Sequence, residues 1–160
     1  MTQFTLRKAQ PGDEGLVLYF IKKLADYEKL LDQVEATEEI LHQSLFVKKA
    51  ANVLIAEEDG TPIGYALYFY NFSTFLGKPG LYIEDVFILP EYRGKGYGTQ
   101  IFRHLANIAL EEGCARMEWI CLDWNAPSLQ FYRNMGAVPM EEWTVQRLTE
   151  DTLRKVAEGK

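Results

Sequence analysis

Apolar positions change their period several times along the chain, and the changes mark its elements. Residues 3 to 8 alternate and predict a first strand. Pro11 and Gly12 break it, and Asp13 stands where it can cap a helix carrying Leu16, Val17, Phe20, Ile21, Leu24 and Leu31 on the 3.6-residue period. A second short helix is expected from Thr37, with Glu38 and Glu39 in the first turn, where the helix dipole favours acids. Asn52 to Glu58 and Pro62 to Phe69 read as two strands joined by Asp59-Gly60, a strong hairpin signal. The stretch Asn71 to Gly80, NFSTFLGKPG, is rich in turn residues and is expected to be a loop that carries Phe72 and Phe75. Leu81 to Leu89 is a strand closed by Pro90. The helix after it opens at about Gly96, aligns Ile101, Phe102, Leu105, Ile108 and Ala109 on one face, and stops at Gly113. Ala115 to Leu122 predicts a further strand parallel to the previous one. A short helix from Pro127 to Met135, a final strand over residues 137 to 148 and a short helix in the tail complete the pattern. The expected fold is α/β: a mixed sheet of about six to seven strands, antiparallel in front and parallel behind, with helices on both faces.

The strand-to-helix junction between Leu81 and Ile101 carries the chemistry. Gly94, Gly96 and Gly98 remove side chains where a backbone must approach a ligand, and they permit positive φ. A helix starting there aims unpaired N–H groups and the positive end of its dipole outward, which suits a phosphate or pyrophosphate. Arg93 and Lys95 add charge, and the strand before the turn holds Glu84 and Asp85. A dinucleotide fingerprint is the rival reading, but Thr99 stands where that motif wants a small residue, and four residues separate strand from glycines.

Composition narrows the classes. A chain of 160 residues, 48% hydrophobic and 25% charged, fits one domain, residues 1–160, with a proper core. No apolar run approaches the ~20 residues that span a bilayer, and the first residues lack the pattern of a secretory signal. A soluble, cytoplasmic protein is expected, with no membrane partner. The net charge of −6 argues against nucleic acid and favours a cationic partner. Cys114 and Cys121 flank a predicted strand, which would hold them about 23 Å apart, beyond disulfide reach. His42 and His104 have no ligand-like spacing, and no metal is expected.

A second segment, Asp123-Trp124-Asn125-Ala126-Pro127-Ser128-Leu129-Gln130-Phe131-Tyr132-Arg133-Asn134-Met135-Gly136, narrows the reading further. Together with Arg93-Gly94-Lys95-Gly96-Tyr97-Gly98 it resembles the GNAT superfamily of acetyl-CoA-dependent N-acetyltransferases. Ala25-Asp26-Tyr27-Glu28, Tyr82-Ile83-Glu84-Asp85, Glu91-Tyr92-Arg93-Gly94 and Leu122-Asp123-Trp124-Asn125 are similar to the diamine (spermidine/spermine) and thialysine branch. The resemblance implies acetyl-CoA contact from Val86, Phe87 and Ile88 and from Arg93, Gly94, Lys95, Gly96, Tyr97, Gly98 and Thr99, with Asn125 nearby. It implies Tyr132 as the acid that protonates the departing thiolate, and Tyr27, Glu28 and Glu84 as contacts of the amine. A bulge near Glu84 to Phe87 that splays the central strands, and a homodimer, are implied as well. Ser73-Thr74 in the substrate loop is closer to the thialysine enzymes.

The chemistry stands on its own terms. An amine with a pKa near 10 is almost wholly protonated at neutral pH, and only its neutral form attacks a thioester. Glu84 is the candidate to receive that proton, directly or through a water, and Tyr132 the candidate to return one to sulfur. The expected activity is direct transfer of acetyl to a primary amine of a small cationic substrate. Two readings of other classes stay open: a non-catalytic acetyl-CoA-binding sensor or scaffold, and a dinucleotide-binding oxidoreductase.

Overall fold

The first alternating segment becomes strand β1, Phe4–Lys8, and the first periodic one helix α1, Glu14–Tyr27. In the computed structural model, which describes all 160 residues, Asp13 occupies the N-cap of α1 without capping it through its side chain. Its carboxylate instead accepts a forked pair of bonds from the Arg7 guanidinium, at 2.8 and 3.1 Å, and the Gln10 N–H at 2.7 Å. A fixed, two-pronged charged donor outcompetes a helix N–H for the same oxygens. Thr37 does cap the short helix α2, Glu38–His42, accepting the Ile40 N–H at 3.1 Å.

Strands β2, Asn52–Glu58, and β3, Thr61–Ser73, form the expected hairpin. Asp59 and Gly60 both take positive φ, 50° and 81°, the two-residue turn whose twist matches the flanking strands. The segment expected to be a loop is mostly strand. β3 runs on through Ser73, and β4, Lys78–Ile88, begins at once after Thr74 to Gly77. Ten ladder pairs zip the two strands, from Gly64 opposite Ile88 to Ser73 opposite Lys78. Turn-prone residues were outvoted there by ladder partners far apart in sequence.

Helix α3, Tyr97–Glu111, follows the glycine turn. Strand β5 is only Met117–Glu118, parallel to β4 with Leu81 opposite Met117. The sheet therefore has five strands, in the order β1-β2-β3-β4-β5, rather than six or seven. Four consecutive residues of β2, Val53 to Ala56, are buried, as expected where both faces of a sheet are covered. One face packs Val53, Ile55, Tyr65 and Phe87 with Val17 and Phe20 of α1 and Leu41 of α2.

The chain divides into two compact units, Met1–Ile120 and Cys121–Lys160. The first holds the sheet and α1 to α3. The second holds α4, Ala126–Asn134, and α5, Glu150–Ala157. The strand expected over residues 137 to 148 does not form. Pro139 cannot donate to a ladder, and a turn at Glu141 and Glu142, closed by the Trp143 N–H to the Met140 carbonyl at 3.1 Å, interrupts the alternation. No disulfide joins Cys114 and Cys121.

Candidate active site

Strand β4 changes its register in the middle. Leu67 of β3 lies opposite Asp85, but its neighbour Tyr68 lies opposite Ile83, so Glu84 is the extra residue of a β-bulge. Pairing with β5 on the other edge ends at Tyr82, two residues before the bulge. From Asp85 to Ile88, β4 is thus laddered to β3 alone. Successive N–H groups of a strand point to opposite edges, so part of the Val86 to Ile88 main chain faces the edge that β5 has left. The bulge expected between Glu84 and Phe87 is there, at Glu84.

The end of β4 runs into the glycine turn. Gly94 and Gly96 both have φ of 80°, a conformation that side chains resist, and Gly96 is the N-cap of α3. Gly98 lies inside the first turn of the helix, where its role is a bare surface rather than an unusual φ. The two cations expected to serve an anion are tied to the protein. Arg93 donates from Nε to the Ile88 carbonyl at 2.9 Å, and its guanidinium lies over the rings of Tyr27 and Phe87, about 5 Å from each centroid. Lys95 pairs with Glu58 at 2.9 Å, and the Tyr97 hydroxyl donates to the same carboxylate oxygen. Tyr97 also stacks on Phe4 with ring centroids 4.3 Å apart. Glu58 and Phe4 therefore brace the first residue of α3. Beside them the turn carries the main-chain N–H groups that open α3, the kind of helix start that suits an anion.

The model of the acetyltransferase (GNAT) family matches residues 19–137, three quarters of the chain. The chain belongs to the GNAT acetyltransferase family. It is 36% identical over 164 residues to a thialysine N-epsilon-acetyltransferase of Bos taurus, covering 95% of this chain and 96% of that protein. A spermidine/spermine N(1)-acetyltransferase-like protein 1 of Homo sapiens is 30% identical over 98% of this chain, which spans 24% of that longer protein. Among solved structures, an integron cassette protein from V. cholerae superposes with a TM-score of 0.80 at 27% identity, covering 97% and 98% of the two chains. No helix of the GNAT chain is long and apolar enough to cross a membrane.

The sites expected from sequence fall in both units of this GNAT enzyme. In the first, Glu84 is exposed on the bulge, Val86 is half-buried, and Phe87 and Ile88 are buried behind it. Tyr27 ends α1 and Glu28 caps it. Burial holds the Glu28 carboxyl above its ordinary range. In the second, Asn125 is buried and caps α4 by accepting the Ser128 N–H at 3.4 Å. Tyr132 lies within that helix, half-buried, its ring edge-on to Phe131.

Two residues outside the sequence-derived set complete the acidic corner. Asp85 is half-buried, and the Tyr65 hydroxyl donates to its Oδ2 at 2.7 Å. The Asp85 carboxyl is pushed up to about 6: burial raises it most, the bond from Tyr65 holds it down, and the charges of Glu84 and Glu28 add to the rise. Tyr65 is fully buried, stacked on Phe20 at 5.8 Å, and its own pKa is raised well above the usual phenol value by burial and by Asp85. No local signal joins these two residues, which lie twenty apart and meet only through the β3–β4 register.

Proposed function

We propose that this GNAT enzyme transfers acetyl from acetyl-CoA to a primary amine of a small cationic substrate, by direct attack and with no covalent enzyme intermediate. The observation that carries the reading is an edge of β4 left unpaired beyond Tyr82, with a bulge at Glu84, just before a glycine turn in which Gly94 and Gly96 take positive φ. Main chain from Gly94 to Thr99 suits the pyrophosphate of the carrier. Main chain from Val86 to Ile88 suits its pantetheine arm and thioester carbonyl, for which each well-placed N–H donor contributes roughly 3 to 4 kcal/mol in the transition state. Arg93 and Lys95, engaged by Ile88 and Glu58, act in this reading by shaping the turn as much as by direct charge.

The amine side rests on charge. Glu28, Glu84 and Asp85 bring three carboxylates to one corner of the first unit, with Tyr27 beside Glu28. That supports a cationic acceptor, and thialysine and spermidine, the acceptors in the relatives' names, are both primary amines. Glu84 organises or deprotonates the incoming ammonium, and Tyr132 protonates the departing thiolate. The family match takes in residues of both units, which supports one acetyltransferase domain over the whole chain.

The test is release of free thiol from acetyl-CoA by the purified protein, against spermidine, putrescine, thialysine, lysine and ornithine. Turnover with at least one of these is expected. Binding of coenzyme A without turnover across the panel would reduce the protein to a sensor or scaffold, and stabilisation by NAD but not by coenzyme A would return it to dinucleotide chemistry.

A further inference from the structure

We propose that the proton leaving the substrate ammonium is received by Asp85, held in place by Tyr65, and that the exposed Glu84 binds the cation without taking its proton. The inference rests on the amine-acetylating reading above and assigns one step within it. Its first support is geometry. Glu84, displaced from the ladder by the bulge, is exposed, whereas Asp85, the next residue along, is half-buried and fixed by a 2.7 Å hydrogen bond from the hydroxyl of a fully buried tyrosine. A group that must exchange a proton with an ammonium at neutral pH works best with an ionisation near that pH. Asp85 meets the requirement at about 6. Its charged and titratable neighbours are Tyr65 on β3, Glu84 beside it on β4 and Glu28 at the end of α1. Arg93 lies over Phe87, two residues further along β4.

The step balances in protons and bonds. Asp85 takes one proton from the ammonium and becomes the neutral acid. The freed amine forms the C–N bond at the thioester carbonyl, the C–S bond breaks, and Tyr132 protonates the thiolate. The second proton lost by nitrogen restores the Tyr132 phenol, and Asp85 returns its own to water. The net products are amide, free thiol and one proton.

Tyr65 gives the proposal its signature. Its hydroxyl stabilises ionised Asp85, so deleting it raises the carboxyl further and moves the acidic limb of the pH–rate profile upward, by about 1 in pH. Profiles of kcat/KM are therefore compared for the intact chain, Asp85→Asn, Tyr65→Phe and Glu84→Gln, using the best amine of the panel. Asp85→Asn is expected to lose roughly 100-fold or more at pH 7. Its melting temperature at pH 8 should be unchanged or higher, because an ionised half-buried carboxylate is gone. Tyr65→Phe should stay active with its limb shifted up, and Glu84→Gln should raise KM while keeping an acidic limb. Carbon-13 NMR titration of the Asp85 carboxyl in the unliganded protein provides a readout that needs no turnover and should show a midpoint near 6, higher in Tyr65→Phe. Wild-type turnover with a limb that neither Asp85→Asn nor Tyr65→Phe moves, or an Asp85 midpoint near 4, overturns the assignment to Asp85 alone. Absence of turnover in the wild type with every amine sinks the underlying activity, and this assignment with it. Should Asp85→Asn fail to fold, Tyr65→Phe and the titration decide.

Discussion

Tyr132→Phe is expected to lower kcat by roughly two to four orders of magnitude, with the KM for acetyl-CoA little changed. Coenzyme A is a better leaving group as a thiol than as a thiolate, and the phenol is the one ionisable group of α4 able to donate at neutral pH without carrying a charge into the site. The helix that carries it is pinned at both ends. Asn125 caps it through Ser128, and the Gly136 N–H bonds to the Arg133 carbonyl at 2.9 Å with φ of 96°. Both caps lie outside the Tyr132 side chain, so a loss in kcat with the melting temperature unchanged reads the missing proton rather than a displaced helix. A normal rate would remove Tyr132 from the mechanism, and a loss confined to KM would make it a binding residue.

Gly64→Ala should cost about 3 kcal/mol of stability, the upper end for overpacking, because the obstacle is main chain. A Cβ built at Gly64 collides with the carbonyl oxygen of Phe87, and it comes within 2.8 Å of Ile88 Cδ1 and 3.0 Å of Ile88 Cα. A side chain could rotate away, but a ladder carbonyl cannot, and Gly64 is paired directly with Ile88. Relief requires β3 and β4 to move apart at the end of the strand from which the glycine turn departs. For a domain of this size the loss corresponds to a fall of roughly 6 to 12 °C in Tm, measured by calorimetry. A fall below 2 °C would mean that the two strands slide past each other easily, and that the bulge geometry is soft.

Features specified by neighbouring residues were legible in the sequence. Thr37 caps α2, Asp59-Gly60 turns the β2–β3 hairpin and Gly96 opens α3, each because two or three adjacent residues decide a conformation between them. What depends on partners distant in the chain was not. Asp13 satisfied every local rule for a cap, yet Arg7 claimed its carboxylate across the end of β1. Asn71 to Gly80 looked like a loop until β3 and β4 supplied ladder partners for most of it. The alternation after Gly136 suggested a strand, but Pro139 and the turn at Glu141 and Glu142 left it without a ladder.

The candidate site divides along the same line. Its motifs marked the glycine turn, Glu84 and the Asn125 to Gly136 helix, and the family match supports reading them as an acetyltransferase. The Tyr65–Asp85 pair was invisible, because it exists only through a register shifted by one residue at Glu84. The restraint of Arg93 and Lys95 was invisible for a similar reason, since Ile88 and Glu58 engage them through the fold. Charge read from a sequence says which ions a segment owns, and packing decides which of them remain available.

The central claim is that main chain at two places, the open edge of β4 and the turn before α3, receives the carrier. Backbone amide NMR of the nitrogen-15-labelled protein, titrated with coenzyme A, tests it most directly. Shifts concentrated at Val86 to Ile88 and Gly94 to Thr99, saturating together with one affinity, are the predicted result. Saturable shifts elsewhere, with those amides unmoved, would contradict it.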